Sequence, residues 1–393
     1  DVAKLKYAYL ERYYRSHPRP LRDYLFAYIG LFGALFYKTR TAAPVNALLR
    51  LPLVRKIINP ILRISAERPL PQFSSPLPSW FRLSASPAAD SPQPDSVKLS
   101  DSTLSLVNAS TFQLETVLYL PDAFTRHFEP EIEGAALSLL RVAGIRLIEI
   151  PLLGAGRTLI SKGFLKEARA HHLKLLDAIR RLDPAGELPI LGIEPSELYT
   201  LKDELRDLVP AERRGEANAI AARAYLVDEF LIRKAPGQEK SRVVNLFMAS
   251  PERSKPIGEH SRRADIENAR PIAPETVLRL QATPSAQDLQ PSNLTPETVL
   301  LHGHCYQKAQ PPAPDGFPVG QAATATFLRA LGFEVEIIPS GCCGMAGAFG
   351  YEKEHYEVSM AVGELVLLPS IRKSSLETHI AAPGASCRAQ IAD

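Results

Sequence analysis

The chain has 393 residues, 45% apolar and 23% charged, which excludes intrinsic disorder, collagen-like repeats and a simple coiled coil and leaves a globular protein long enough for two or three domains. With 34 prolines against 22 glycines it has stiff connectors, and four cysteines are too few for a disulfide-stapled secreted scaffold, so it reads as cytoplasmic. The net charge of +3 hides a basic end: residues 1–63 carry twelve Lys or Arg against three Asp or Glu, yet no basic run with interleaved aromatics is present and no nucleic-acid partner is expected.

Residues 1–66 read as a helical segment. Leu5, Tyr9 and Tyr13 recur every four residues, and Ala47, Leu48, Leu51, Val54 and Ile58 form a second apolar stripe broken by prolines. The apolar run 24–37 is short of the ~20 residues a spanning helix needs; packing in a core is its first reading and a membrane interface the alternative. Pro and Ser crowd the stretch after it, so 67–113 reads as a linker.

Two later segments, 114–233 and 297–393, repeat one another. One opens with TVLYL at 116–120, the other with TVLLH at 298–302. Each then has an apolar helix ending in glycine (135–144 or 322–332), a β-branched strand (145–150 or 333–338) closed by Pro151 or Pro339, a long helix, and a third strand (188–193 or 379–382). Strands alternating with helices imply a parallel sheet, so the fold class is α/β, two pseudo-repeated small parallel-sheet units preceded by a helical segment. Between them, 234–296 is polar and proline-rich and reads as a surface insertion.

All four cysteines fall in the second repeat: Cys305 just past its first strand, Cys342-Cys343 past its second, Cys387 past its third. Loops at the carboxyl ends of parallel strands are where open α/β sheets bind ligands, so the thiols converge as one metal centre would require; four inert buried cysteines are the alternative. Gly303, Gly341, Gly344 and Gly384 would let the backbone approach such a centre closely. Zinc thiolate sites usually use spaced cysteine knuckles, so an adjacent pair suits a multi-iron cluster better. His302 and His304 flank Cys305, either as ligands or, the preferred reading, as hydrogen-bond donors to sulfur. In the first repeat Ala123, Gly154-Ala155 and Glu197 stand at the thiol positions, and no thiol ligand remains. Asp122, Arg157, Lys162, Glu194 and Glu197 occupy those loops, either as a salt-bridged filling or as a docking or small-anion site. His17, His171 and His172 read as surface residues on helices.

The strings His302-Gly303-His304-Cys305, Gly341-Cys342-Cys343-Gly344-Met345-Ala346-Gly347 and Ser386-Cys387-Arg388 resemble the cysteine-rich CCG domain of glycolate oxidase iron-sulfur subunits, lactate utilisation systems and the heterodisulfide reductase cluster subunit. The longer string from Gly341 to Arg372 is similar to the carboxyl-terminal part of fused FAD-linked oxidases of the D-lactate and D-2-hydroxyglutarate dehydrogenase type. The resemblance implies a 4Fe-4S cluster, cubane or non-cubane, on Cys305, Cys342, Cys343 and Cys387, with His302, His304 and Gly344 around it; on the residues alone, zinc is the alternative metal. It implies FAD on another domain or partner, no complete active site in this chain, and electron relay to a quinone or other acceptor. Asp1 to Lys6 resembles the helix that follows a ferredoxin-like cysteine motif in that family, so a longer protein with an upstream cluster domain is expected. A location peripheral to the inner face of a membrane is the variant of the cytoplasmic reading. The rival functions are a thiol/disulfide reductase of heterodisulfide-reductase type and a redox-inert scaffold with structural zinc.

Overall fold

The computed structural model describes residues 2–74, 115–233 and 297–393; the expected linker 67–113, from residue 75 onward, and the polar insertion 234–296 lie outside the described residues. Five helices come first: α1 (Val2–Tyr13), α2 (Leu21–Ala27), α3 (Ile29–Thr39), α4 (Ala42–Arg50) and α5 (Pro52–Leu62). The expected apolar stripe of α1 is corrected here, because Leu5, Tyr9 and Tyr13 face solvent while Tyr7 is buried. A polar anchor sets the helix rotation: the Tyr7 hydroxyl accepts from the buried Arg157 guanidinium. The run 24–37 is also no core helix, being divided between α2 and α3, with Ala27 and Gly33 buried but Leu31 and Leu35 exposed. Among the described residues no helix is long and apolar enough to cross a membrane.

The first α/β unit runs β1 (Glu115–Tyr119), α6 (Ala123–His127), α7 (Pro130–Val142), β2 (Ile145–Glu149), α8 (Arg157–Ser161), α9 (Leu165–Leu182), β3 (Ile190–Gly192), α10 (Pro195–Lys202), α11 (Glu204–Leu208), α12 (Arg214–Ala222), β4 (Ala224–Leu226) and α13 (Val227–Arg233). Its strands are parallel in the order β2-β1-β3-β4. The period-two alternation of β1 feeds two cores: Val117 and Tyr119 pack with Leu137, Leu140 and Phe230, while Leu118 and Leu120 pack with Leu175, Ile179 and Leu198. Burial on both faces is what a parallel sheet requires.

The second unit contains β5 (Thr298–Leu301), α14 (Cys305–Lys308), α15 (Gly320–Ala330), β6 (Glu334–Ile337), α16 (Tyr356–Leu365), α17 (Leu367–Lys373), β7 (His379–Ala381) and α18 (Ala385–Ile391), with parallel order β6-β5-β7. The two sheets share more than order. Thr116 faces Arg146 as Thr298 faces Glu334, and Leu118 faces Ile190 as Leu300 faces Ile380. These registers make Asp122 and Ala123 the counterparts of His304 and Cys305, Gly154-Ala155 the counterpart of Cys342-Cys343, and Glu197 that of Cys387. Gly144 and Gly332, at φ +75° and +89°, end the helices before β2 and β6.

The units meet through α13 and α15. Glu229 accepts from the Tyr199 hydroxyl and the Gly320 N–H, each at 2.7 Å, and Thr324 donates to Asp228 at 2.5 Å. Arg388 of the second unit also pairs with Glu129 of the first, at 2.5 Å.

Candidate metal centre

Parallel strands deliver their following loops to one edge, and β5, β6 and β7 each bring cysteine there. Cys305 begins α14, Cys342-Cys343 lie in the loop after β6, and Cys387 is in the first turn of α18. All four thiols are free; Cys305 and Cys342 are exposed, whereas Cys343 and Cys387 are buried in an apolar cluster with Leu300, Ile338, Met345 and Leu367. Each sulfur neighbours the next, in the sequence Cys305, Cys342, Cys343, Cys387. Hydrogen bonds from Cys305 and then Cys343 hold the Cys342 thiol far below its usual range. A hydrogen bond from Cys343 likewise brings Cys387 down to about 5. Cys305 and Cys343, which supply those protons, are pushed up. The clustered thiols thus favour the thiolate at Cys342 and Cys387, the form in which cysteine ligates a metal.

Backbone geometry supports the cluster of thiols. Gly344 sits at φ +94°, where a Cβ would overlap the Ser359 carbonyl, and its N–H donates to the Cys342 sulfur at 3.3 Å. Gly384 lies against the ring of His304, again leaving no room for a Cβ. His304 caps α14: its Nδ1 accepts from the Tyr306 N–H at 3.2 Å, so the neutral ring carries its proton on Nε2, which is 4.0 Å from the Cys305 sulfur. That makes it a donor toward sulfur. His302 is held by Ser340, Nδ1 to Oγ at 2.7 Å, and its ligand atom shares a volume with those of Cys343 and Cys387 in which all lie within 4.8 Å of one another.

Sequence reading missed Lys308 and Ser340. Lys308 stands three residues after Cys305 on the same short helix and donates to the carbonyls of Ser340 and Gly341 at 2.7 and 2.8 Å, pinning the loop that leads into the cysteine pair. Its spacing from Cys305 was the available signal.

In the first unit the polar residues are engaged with this chain. Asp122 caps α6, accepting from Phe124 and Thr125 N–H at 2.8 and 2.9 Å. Glu197 accepts from the Ala155 N–H at 2.6 Å, filling the place of the Cys387 thiol beside the counterpart of Cys343. Glu194 reaches across to the second unit and accepts from Ala385 N–H at 2.9 Å. Arg157 pairs with Glu204, and Lys162 with Glu352 and, at 3.3 Å, Asp23. Both cations face carboxylates of this chain, which favours the salt-bridged filling over an anion site. Glu352, Glu354 and His355 form another group of potential metal donors, but Arg22 and Lys162 neutralise it.

The reading of His171 and His172 as surface residues is corrected. His172 is fully buried, and the two rings contact the carbonyls of Gly154 and Ala155 at 2.9 and 2.8 Å. They brace the loop that corresponds to the cysteine pair. His17 is exposed.

Four thiols from three loops match the four-cysteine ligation of an iron-sulfur cluster, and donors to the sulfurs of Cys342 and Cys305 are in place. The triplet His302, Cys343 and Cys387 also suits a single zinc ion.

The curated relatives of the chain are dehydrogenases or a component of one, and they support an oxidoreductase component. In particular, it is 24% identical over 392 residues to D-2-hydroxyglutarate dehydrogenase of Escherichia coli (strain K12), covering 100% of this chain and 31% of that protein. The same-named protein of Pantoea ananatis (strain AJ13355) is 25% identical over 391 residues, 100% of this chain and 30% of its own length. A subunit of the anaerobic glycerol-3-phosphate dehydrogenase of Escherichia coli (strain K12) is 21% identical over 347 residues, 87% of this chain and 66% of that protein. The chain thus spans about a third of the length of the first two relatives. No family model matches the chain. No solved structure matches it either.

Proposed function

We propose that this chain is the iron-sulfur electron-transfer part of a flavin-dependent 2-hydroxy acid dehydrogenase, its second unit a CCG-type domain. The observation that carries the reading is the meeting of Cys305, Cys342, Cys343 and Cys387 at one sheet edge, in a chain whose relatives include D-2-hydroxyglutarate dehydrogenases. A 4Fe-4S cluster, cubane or non-cubane, would supply one-electron transfer between a flavin and the next acceptor. Cys343 and Cys387 hold the inner side from an apolar bed, and Cys305 and Cys342 leave the outer side near solvent, where a partner can approach. The Gly344 N–H and the His304 ring donate toward the sulfurs and tune the charge they carry. No residue of this chain need touch the hydroxy acid. FAD belongs to another domain or protein of the complex, the helices of 1–66 support an upstream ferredoxin-like cluster, and a quinone or other carrier takes the electrons, with the protein cytoplasmic or peripheral at the inner membrane face.

The second reading is a scaffold holding zinc on His302, Cys343 and Cys387, favoured by their mutual distances. Analysis of the anaerobically purified protein for iron, acid-labile sulfide and zinc separates the two. Iron and sulfide in equal amounts support electron transfer; zinc without sulfide supports the scaffold. Absence of all three with a redox-active Cys342-Cys343 pair returns the function to thiol/disulfide chemistry.

A further inference from the structure

The two units carry a cation at the same place. Arg126 is the fourth residue of α6 and Lys308 the fourth of α14, and the shared register that pairs Ala123 with Cys305 pairs these two as well. Their surroundings differ in one respect. Arg126, in the unit without thiols, is neutralised by Glu133 at 2.5 Å and Glu149 at 2.7 Å. Lys308, in the unit with them, has no carboxylate within ion-pair distance among the described residues. Its ammonium meets only oxygens that carry no net charge: the Ser340 carbonyl at 2.7 Å, the Gly341 carbonyl at 2.8 Å and the Ser340 hydroxyl at 3.4 Å. Ser340 in turn bonds to His302, so one cation ties the loop after β6 to the residue beside Cys387.

A half-buried ammonium without a counter-ion is costly unless negative charge lies near. Burial lowers the pKa of Lys308, and what acts against that effect is the negative charge of the neighbouring cysteine cluster. We propose that Lys308 is the built-in counter-charge of the thiol-bound centre, stapling the loop that presents Cys342-Cys343 and offsetting the negative charge of the thiolates. This rests on the electron-transfer reading above. A fixed cation favours the more negative, reduced state of a centre, so Lys308 raises its reduction potential.

The test uses Lys308→Met and Lys308→Arg in the full chain, purified anaerobically, with iron and sulfide content and a redox titration followed by electron paramagnetic resonance. Lys308→Met is expected to shift the midpoint to more negative potential by about 59 mV, which is a tenfold change in a one-electron equilibrium, while Lys308→Arg stays near wild type. Cluster loss from Lys308→Met but not from Lys308→Arg also supports the proposal, through the staple. A Lys308→Met protein with wild-type iron and wild-type midpoint overturns it alone, and so does equal cluster loss from both variants, since arginine keeps the charge. Wild-type protein devoid of iron and sulfide overturns the electron-transfer reading and this inference with it.

Discussion

Glu197 stands in the first unit where Cys387 stands in the second, and Glu197→Gln separates its charge from its shape. The carboxylate accepts from the Ala155 N–H at 2.6 Å and the Arg157 N–H at 3.3 Å, so the site is filled and not merely vacated. Burial pushes its pKa from an ordinary 4.5 up to about 7, against the opposing pull of those two donors and of the Arg157 charge. A carboxyl whose pKa rises on folding contributes stability that is fully present below the unfolded pKa and is lost as pH climbs through the folded one. The window here runs from 4.5 to about 7, and the difference is worth about 3 kcal/mol. Asp122 is raised to about 7 as well, by burial and then by Glu194, so the wild-type curve alone would mix the two groups. Urea unfolding of wild type and Glu197→Gln in parallel, at several pH values between about 5 and 8, isolates Glu197. The variant should gain on wild type as pH rises, by about 3 kcal/mol across the window. A difference that stays flat with pH would show that Glu197 remains ionised throughout and would refute the argument from burial.

Gly344→Ala places a side chain at φ +94° and against the Ser359 carbonyl. It should cost at least the ~1–2 kcal/mol of a left-handed residue and lower the thermal midpoint; an unchanged midpoint would mean the loop has room to move. His172→Ala removes the contact to the Ala155 carbonyl and leaves a void, with an expected loss of about 2–4 kcal/mol in chemical denaturation. Burial lowers the pKa of His172 from 6.5 to about 4, so its contribution is present above 6.5 and fades as pH falls through about 4; His172→Ala should therefore flatten the acid limb of the stability curve.

The repeat was legible because both copies punctuate their strands alike, with a glycine before the second strand and a proline after it, and because β1 and β5 are apolar enough to be buried on both faces. The cysteine loops followed from that repeat. Strand β4 was not legible: Ala224–Leu226 is three residues between two helices, too short for any periodicity to register. The rotation of α1 was misread because a tyrosine hydroxyl bound to Arg157 outweighed an apolar spacing of four. His171 and His172 lie on a helix rich in Lys and Arg, and what buries them is a loop 17 residues earlier in the chain, contact that local pattern does not carry. Lys308 escaped notice for the opposite reason, since a lysine without a carboxylate neighbour in sequence looks like solvent-facing charge until Ser340 and Gly341 are brought beside it.

Native mass spectrometry of the anaerobically purified chain tests most directly whether the four thiols hold one centre. Wild type should carry a single added mass of iron with sulfide, and Cys305→Ser, Cys342→Ser, Cys343→Ser and Cys387→Ser should each lose or destabilise it while keeping the fold. An added mass that survives removal of all four thiols together, or a wild-type chain that carries zinc alone, would contradict the account.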